Sequence, residues 1–158
     1  MNTIKISVEY QECTYNELNN TDSELTNAAR EATYKSYAPY SNFHVGAAIL
    51  LTNGLIIQGS NQENAAFGAG TCAERTALFY AQSEYPNEKI KAIAIAARGA
   101  DGDFTVCPIS PCGICRQALI EAQTRTQQAF RILMCGKDKV RIVDNASTLL
   151  PIQFDAIV

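Results

Sequence analysis

Three cysteines and one carboxylate have a spacing that suits metal chemistry. Cys72 is followed two residues later by Glu74, and Cys112 and Cys115, spaced as Cys-x-x-Cys, come about forty residues further on. Cysteine thiolates bind zinc in tetrahedral geometry, and a catalytic zinc has three protein ligands and leaves its fourth position to water. The three cysteines therefore predict a site for one Zn²⁺ per chain. Glu74 is placed to take a proton from that water and pass it to a substrate.

Two helices must position these residues. We predict one helix over residues 71–81, and a second that has Ser110 as its N-cap, Pro111 as its first residue and its end near Ala122. Both groups of cysteines thus lie at helix starts. The free N–H groups and the helix dipole there favour thiolate over thiol.

Simpler interpretations exist for each half of this arrangement. Thr71 and Glu74 fit a capping box, in which the glutamate only binds a backbone N–H at the start of the helix. Cys-x-x-Cys alone is also typical of a redox pair. The occurrence of the two cysteine groups at two helix starts favours the metal site over both alternatives.

Four other side chains near the motifs are candidates for the site. Arg75 and Arg116 are close in sequence to the cysteines, and we expect both to donate hydrogen bonds to the sulfurs. His44 is the only histidine, and its place at the start of a strand favours a structural role. Cys107 precedes Cys112 by five residues but lacks a helix start, so it is not expected to bind the metal.

The rest of the chain alternates predicted strands and helices. Strands are predicted at residues 4–8, 43–51, 55–59, 90–97, 130–134 and 140–143, and a further helix at 22–36. Asn53-Gly54 is typical of a hairpin turn. Residues 9–20 have no period and are predicted to form a loop, and residues 61–70 form a candidate binding loop. The order β-α-β-β-α-β-α-β-β predicts an α/β sandwich with a mixed sheet.

Length and charge restrict the class of partner. At 158 residues the chain is expected to be a single domain spanning residues 1–158. Its formal net charge is −3 and it has no cluster of Lys and Arg, so we expect no nucleic-acid polymer as partner. No apolar run reaches membrane-spanning length, and Met1–Lys5 does not begin a signal peptide. We therefore expect a cytoplasmic protein, without a membrane partner, that binds a small neutral molecule.

Five motifs resemble those of one enzyme family. They are Tyr37–Ala48 (YAPYSNFHVGAA), Asn61–Ala65 (NQENA), Cys72–Ala77 (CAERTA), Pro111–Gln117 (PCGICRQ) and Leu149–Phe154 (LLPIQF). A lone Cys or His, then Glu, then a distant Pro-Cys-x-x-Cys is the signature of zinc deaminases. From Tyr37 to Phe154 the chain resembles the homotetrameric, zinc-dependent cytidine deaminases.

The resemblance implies a fold, an activity and a set of site residues. The fold is a three-layer α/β/α sandwich with a mixed five-stranded sheet. Zinc is bound by the three cysteines, and Glu74 is the catalytic proton shuttle. The expected substrate-binding residues are Phe43 against the pyrimidine, Asn61 and Glu63 at the ribose hydroxyls, the Ala73 backbone at the base edge, and Phe154 in a neighbouring subunit's site.

Three features depart from the family pattern. Phe67 stands where the family often has tyrosine, which removes a hydroxyl. The interval between Cys72 and Cys112 is longer than usual, with the extra residues near Gly99–Cys107. An N-terminal extension of about twenty residues precedes the minimal family domain. These changes leave the predicted zinc ligands and Glu74 in place, but they can alter substrate choice.

The resemblance predicts hydrolytic deamination of cytidine and 2′-deoxycytidine to uridine and 2′-deoxyuridine, with release of ammonia, in pyrimidine salvage. Two alternatives stay open. One is a related deaminase of a nucleoside-like amine such as blasticidin S, against which Asn61 and Glu63 count. The other is a non-catalytic zinc module, which would normally have a fourth protein ligand.

Overall fold

The computed structural model describes residues 1–154. Its strands and helices are β1 (Gln11–Thr14), α1 (Asn20–Ala32), β2 (His44–Leu51), β3 (Ile56–Ser60), α2 (Ala73–Glu84), β4 (Ile90–Arg98), α3 (Gly113–Thr126), β5 (Arg131–Cys135) and β6 (Lys139–Val143). Short 3₁₀ turns lie at Tyr15–Glu17, Thr33–Lys35, Phe67–Ala69 and Ala146–Leu149. Within this described part, none of the helices combines the length and the apolar character that crossing a membrane would require.

The strands form one sheet in the order β1-β6-β5-β4-β2-β3. Strand β4 pairs in parallel with β5 and antiparallel with β2, so the sheet is mixed, as predicted. It has six strands rather than five, because β1 adds to the edge beside β6.

The prediction of the first strand was wrong. Residues 4–8 alternate apolar and polar side chains but form no strand, and Ile4 remains 85% exposed. The strand lies at Gln11–Thr14, inside the segment predicted as a loop. Pairing decides its place, because Glu12 forms salt bridges across to Lys139 and Arg141 on β6. Alternation alone cannot locate a strand whose partner is more than a hundred residues away.

Helices cover both faces of the sheet, which confirms the three-layer α/β/α architecture. Leu25 and Ala29 of α1 pack on one face, where β4 presents only alanines. Helices α2 and α3 pack on the other face, against the larger Ile93 and Ile95 of the same strand. Successive side chains of a strand point to opposite faces, so the near-continuous apolar run of β4 serves both layers.

Glycines allow two close approaches between the layers. A Cβ on Gly46 would lie 2.2 Å from the carbonyl oxygen of Ala29 in α1, and one on Gly59 would lie 2.4 Å from the backbone nitrogen of Ala77 in α2. Any larger residue would force these helices away from the sheet.

The sheet topology brings α2 and α3 to one edge. Strands β3, β4 and β5 run in the same direction, since β3 and β4 are both antiparallel to β2 and β5 is parallel to β4. Helix α2 follows β3 and helix α3 follows β4, so both helices begin beyond the carboxyl ends of two strands that run in the same direction on either side of β2. Ligands of open α/β sheets bind at such edges.

Arg30 of α1 joins three segments that are distant from one another in the sequence. Its Nη1 donates to the Tyr15 hydroxyl at 2.8 Å and to the carbonyl of Gly136 at 3.1 Å. Its guanidinium lies over the ring of Phe104, 3.7 Å from the centroid. The N-terminal segment, the long loop after β4 and the β5–β6 turn therefore meet on one side chain.

Candidate active site

The two helix starts bring the three predicted cysteines together. Cys72 is the N-cap residue of α2, Cys112 is the N-cap of α3, and Cys115 lies in the first turn of α3. Their sulfurs all lie within 4.8 Å of one another, and those of Cys72 and Cys112 are 3.8 Å apart. Two sulfurs bound tetrahedrally to one zinc ion at about 2.3 Å are about 3.8 Å apart. The group therefore fits a metal ion of this size, and its soft donors suit zinc.

The protonation of these thiols also suits metal binding. The pKa of Cys72 is lowered to about 5, chiefly by a hydrogen bond from the Cys115 thiol and further by Arg75. The pKa of Cys115 is raised, because its proton is held by the Cys72 thiolate and its sulfur is buried. The pair thus shares one proton. A cation that takes the place of this proton can bind both residues as thiolates.

The two arginines have different roles. Arg75 directs its Nη2 at the sulfur of Cys72, at 3.9 Å, as expected for a side chain that offsets thiolate charge. Arg116 instead donates to the carbonyl oxygens of Pro111 and Leu149, each at 2.8 Å. The expectation that Arg116 binds a sulfur was therefore wrong. It ties the start of α3 to the C-terminal part of the chain, and so acts on Cys112 only through the backbone.

Glu74 lies in the first turn of α2 and is only 5% exposed. Burial raises the pKa of its carboxyl group, and the nearby Cys72 thiolate raises it further. The capping-box alternative fails, because α2 begins at Ala73 with Cys72 as N-cap and has no side-chain cap. Thr71 instead directs its hydroxyl at the carbonyl of Cys72, at 3.4 Å. Glu74 is thus a buried carboxyl beside the cysteines and takes no part in a capping box.

A cavity of about 610 Å³ opens beside the cysteines. Its lining includes Tyr40, Ser41, Phe43, Val45, Asn61, Glu63, Phe67, Cys72, Glu74, Ile109 and Cys112. Cavities that bind small molecules have volumes of about 300–1,000 Å³ and are mostly apolar with a few convergent polar groups. Aromatic and aliphatic walls, two carboxyl groups and the cysteines follow this pattern.

Asn61 follows β3 and is fixed on the neighbouring strand. Its Oδ1 accepts the N–H of Val45 at 2.8 Å, and its Nδ2 donates to the carbonyl of Phe43 at 2.9 Å. An amide has two donors and two acceptor sites. Asn61 therefore keeps one N–H and one lone pair for a ligand in the cavity.

Glu63 is held by the loop before β2. One carboxylate oxygen accepts the N–H groups of Tyr40 and Ser41, and the other accepts the Ser41 hydroxyl. These bonds, the Ser41 hydroxyl first, hold the pKa of Glu63 below its ordinary value. The carboxylate is thus ionised near neutral pH, with one acceptor site left for a ligand.

The structure adds wall residues whose place in the cavity the sequence did not predict. Tyr40 and Phe67 form an edge-to-face pair across the cavity, with their ring centroids 6.1 Å apart. Ile109 contributes an aliphatic wall just before Cys112. The sequence feature that could have indicated these wall residues is proximity: Tyr40 lies near Phe43, Phe67 lies within the 61–70 loop, and Ile109 lies near Cys112.

The remaining predicted residues are placed as follows. Ala73 is the buried first residue of α2, next to Cys72. Phe154 lies outside the cavity in a groove along α2 and α3, where the Gln117 side chain pairs with its backbone at 2.7 and 3.1 Å. His44 contacts the Ser36 hydroxyl through Nδ1 at 2.6 Å, as suits a structural role. Cys107 is exposed and outside the cysteine group, as expected.

Comparison with known proteins agrees with this geometry. Residues 19–130 match the family model described as the cytidine and deoxycytidylate deaminase zinc-binding region. The chain belongs to the cytidine and deoxycytidylate deaminase family. It is therefore an enzyme, a hydrolytic deaminase.

Three relatives of this deaminase have the name cytidine deaminase or probable cytidine deaminase. The chain is 46% identical over 97 residues to a cytidine deaminase of Halalkalibacterium halodurans, covering 61% of this chain and 68% of the relative. It is 35% identical over 124 residues to a probable cytidine deaminase of Dictyostelium discoideum, covering 78% and 77%. The crystal structure of cytidine deaminase from Burkholderia pseudomallei aligns with a TM-score of 0.68 at 38% identity, covering 83% of this chain and 97% of that one.

Proposed function

We propose that this deaminase converts cytidine and 2′-deoxycytidine to uridine and 2′-deoxyuridine, taking up water and releasing ammonia. The observation that carries the proposal is the arrangement of one cavity. Cys72, Cys112 and buried Glu74 line it together with Asn61 and Glu63, and the buried sulfur of Cys115 lies within 4.8 Å of the other two. A substrate with a pyrimidine amine and a hydroxylated sugar suits both groups of residues.

Cys72, Cys112 and Cys115 would hold one Zn²⁺ per chain, with Arg75 offsetting thiolate charge. Bound zinc supplies a Lewis acid that makes water nucleophilic at neutral pH. Glu74 accepts the proton that the attacking water gives up and delivers it to N3 of the pyrimidine. It then takes the remaining proton of that water, now the hydroxyl added at C4, and passes it to the amine, so that the C4–N4 bond breaks, a carbonyl forms at C4 and ammonia leaves. The raised pKa of Glu74 suits a group that must both take and give a proton near neutral pH.

Four further residues are proposed to bind and orient the nucleoside. Phe43 packs against the pyrimidine ring, and the Ala73 backbone contacts its edge. Asn61 offers one N–H and one lone pair, and Glu63 offers one acceptor site. Sugar hydroxyls both donate and accept hydrogen bonds, so these two residues together can bind the ribose.

We further propose a homotetramer of single-domain chains, acting on nucleosides in cytoplasmic pyrimidine salvage and not on nucleic-acid polymers. Exposed Phe79, Ile114 and Phe154 form an apolar surface on α2 and α3, of the kind that marks an interface. From this surface Phe154 would reach the site of a neighbouring subunit. The reducing cytoplasm would keep the three cysteines able to bind zinc.

An absorbance assay of the zinc-loaded enzyme tests the proposal. Cytidine and deoxycytidine should both be deaminated, and a chelator should abolish the absorbance change. Turnover of blasticidin S but not of cytidine would favour the related deaminase. A zinc-loaded chain that deaminates neither amine would favour a structural zinc module.

A further inference from the structure

The hydroxyl of Ser41 lies between two proposed substrate-binding residues. Its Oγ donates to Oε1 of Glu63 at 2.5 Å and accepts the backbone N–H of Phe43 at 3.0 Å. One hydroxyl thus joins the carboxylate proposed for the sugar to the aromatic ring proposed for the pyrimidine. The sequence motif places Ser41 two residues before Phe43, but the contact with Glu63 spans 22 residues and is visible only in the fold.

Ser41 supplies two of the three bonds that hold Glu63. Oε2 accepts the backbone N–H groups of Tyr40 at 2.9 Å and Ser41 at 3.3 Å. Oε1 is held by the Ser41 hydroxyl alone within the described structure. Oε1 has one acceptor site left for a ligand. Without the Ser41 hydroxyl, Oε1 would lose its hydrogen bond, and the carboxylate could rotate about the Cγ–Cδ bond of Glu63.

Ser41 also shapes the turn that aims Phe43. Asn42 has a φ of +51°, in the left-handed region, and donates its N–H to the carbonyl of Ala38 at 3.0 Å. The bond from the Phe43 N–H to the Ser41 hydroxyl closes the turn on its other side. Serine hydroxyls that bind the backbone two residues on stabilise such turns.

We propose that Ser41 is a positioning residue for nucleosides: its hydroxyl fixes Glu63 and Phe43 relative to each other, so that sugar and base bind together. The proposal rests on the proposed function of the cavity. Ser41 acts through its two neighbours and need not touch the substrate. Because the alignment is needed equally before and during the reaction, its loss should raise KM more than it lowers kcat.

The kinetic test compares Ser41→Ala, Ser41→Thr and Ser36→Ala in the zinc-loaded enzyme. The net free energy of a hydrogen bond to a charged group corresponds to a factor of about ten or more in an equilibrium constant, and we expect its loss to reduce substrate affinity by about this factor. Ser41→Ala should therefore raise KM for cytidine about tenfold and change kcat by less than about threefold, while Ser41→Thr, which keeps a hydroxyl, restores most of the affinity. Ser36→Ala is the matched control. The Ser36 hydroxyl donates to the carbonyl of Thr33 and contacts Nδ1 of His44, so its removal should leave KM unchanged. A Ser41→Ala enzyme with the KM of the parent would overturn the proposal.

A titration of Glu63 gives a readout independent of activity. The carboxyl carbon of Glu63 can be followed by ¹³C NMR against pH and assigned with Glu63→Gln. The pKa of Glu63 should be below its ordinary value in the parent and Ser41→Thr, and should rise in Ser41→Ala. No rise in Ser41→Ala would refute the anchoring role.

The two proposals fail in different ways. If the zinc-loaded parent does not deaminate cytidine, the proposed function fails. The NMR titration then decides the role of Ser41 alone. If the parent is active and Ser41→Ala matches it in KM, the proposed function stands and the positioning role is lost.

Discussion

Replacing Glu74 by glutamine separates proton transfer from every other task of the cavity. The amide has nearly the size and shape of the carboxyl group but cannot take a proton. Glu74 is 5% exposed, so bulk water has little access to replace it. It is also outside the three sulfurs that form the metal group, so zinc should remain bound.

The expected loss follows from the number of proton transfers. Positioned acid–base catalysis contributes about 10²–10⁴-fold to a rate. Glu74 is proposed to serve in both halves of the reaction, which places the loss in kcat at about 10³–10⁴-fold, or roughly 4–5.5 kcal/mol of transition-state stabilisation. KM should change little, because the proposed contacts to the sugar come from other residues.

The assay is the initial rate of cytidine deamination by absorbance, with zinc content measured on the same samples. Glu84→Gln is the matched control, since Glu84 is an exposed glutamate in the last turn of the same helix, and it should behave as the parent. A fully metallated Glu74→Gln enzyme whose kcat stays within tenfold of the parent would refute the proton-shuttle role.

Three further experiments test the metal group and the packing of α2 on the sheet. Cys112→Ala removes one of three sulfurs and should lower zinc affinity at least about a hundredfold, since even residues that only support a ligand cost about 10–100-fold; full zinc occupancy with normal turnover would contradict the ligand set. In the zinc-free protein the Cys115 thiol and Arg75 lower the pKa of Cys72, so at pH 6 this thiol should be more ionised than an ordinary cysteine and should be alkylated by iodoacetamide faster than exposed Cys107, with zinc protecting it; equal labelling rates at the two sites by mass spectrometry would contradict this. Gly59→Ala places a Cβ 2.4 Å from the α2 backbone and should lower the free energy of unfolding by about 1–3 kcal/mol. Gly113→Ala, where a Cβ meets open space, is the control and should not be destabilised in a urea titration.

Local signals in the sequence were enough for the helices, most strands and the zinc group. Cysteine spacing and helix-start chemistry act over a few residues, and the strand directions then bring Cys72 and Cys112 together. Helices α2 and α3 begin one or two residues later than predicted, because Cys72 and Cys112, rather than Thr71 and Ser110, are their N-cap residues. The sequence identifies residues whose side chains could cap a helix, but the backbone conformation decides which of several neighbouring residues is the N-cap.

What the sequence could not supply was long-range pairing. Proximity in the chain predicts that Arg116 binds the sulfurs, yet its partner Leu149 is 33 residues away. The strand β1 could not be located because its charged partners lie on β6. The carboxylate of Glu63 depends on Ser41 in the same way. In each case the deciding contact joins residues whose separation no periodicity records.

The contacts of Arg30 have a consequence for the history of this protein. The sequence predicts two additions to the minimal family domain, the N-terminal extension and a longer loop after β4, and Tyr15 and Phe104 from these two segments contact the same guanidinium. Deleting either segment alone would remove part of the surface that covers this charge. We therefore expect the two additions to be inherited as a pair. Among related sequences, those with the long loop should also have the extension, and those without one should lack the other.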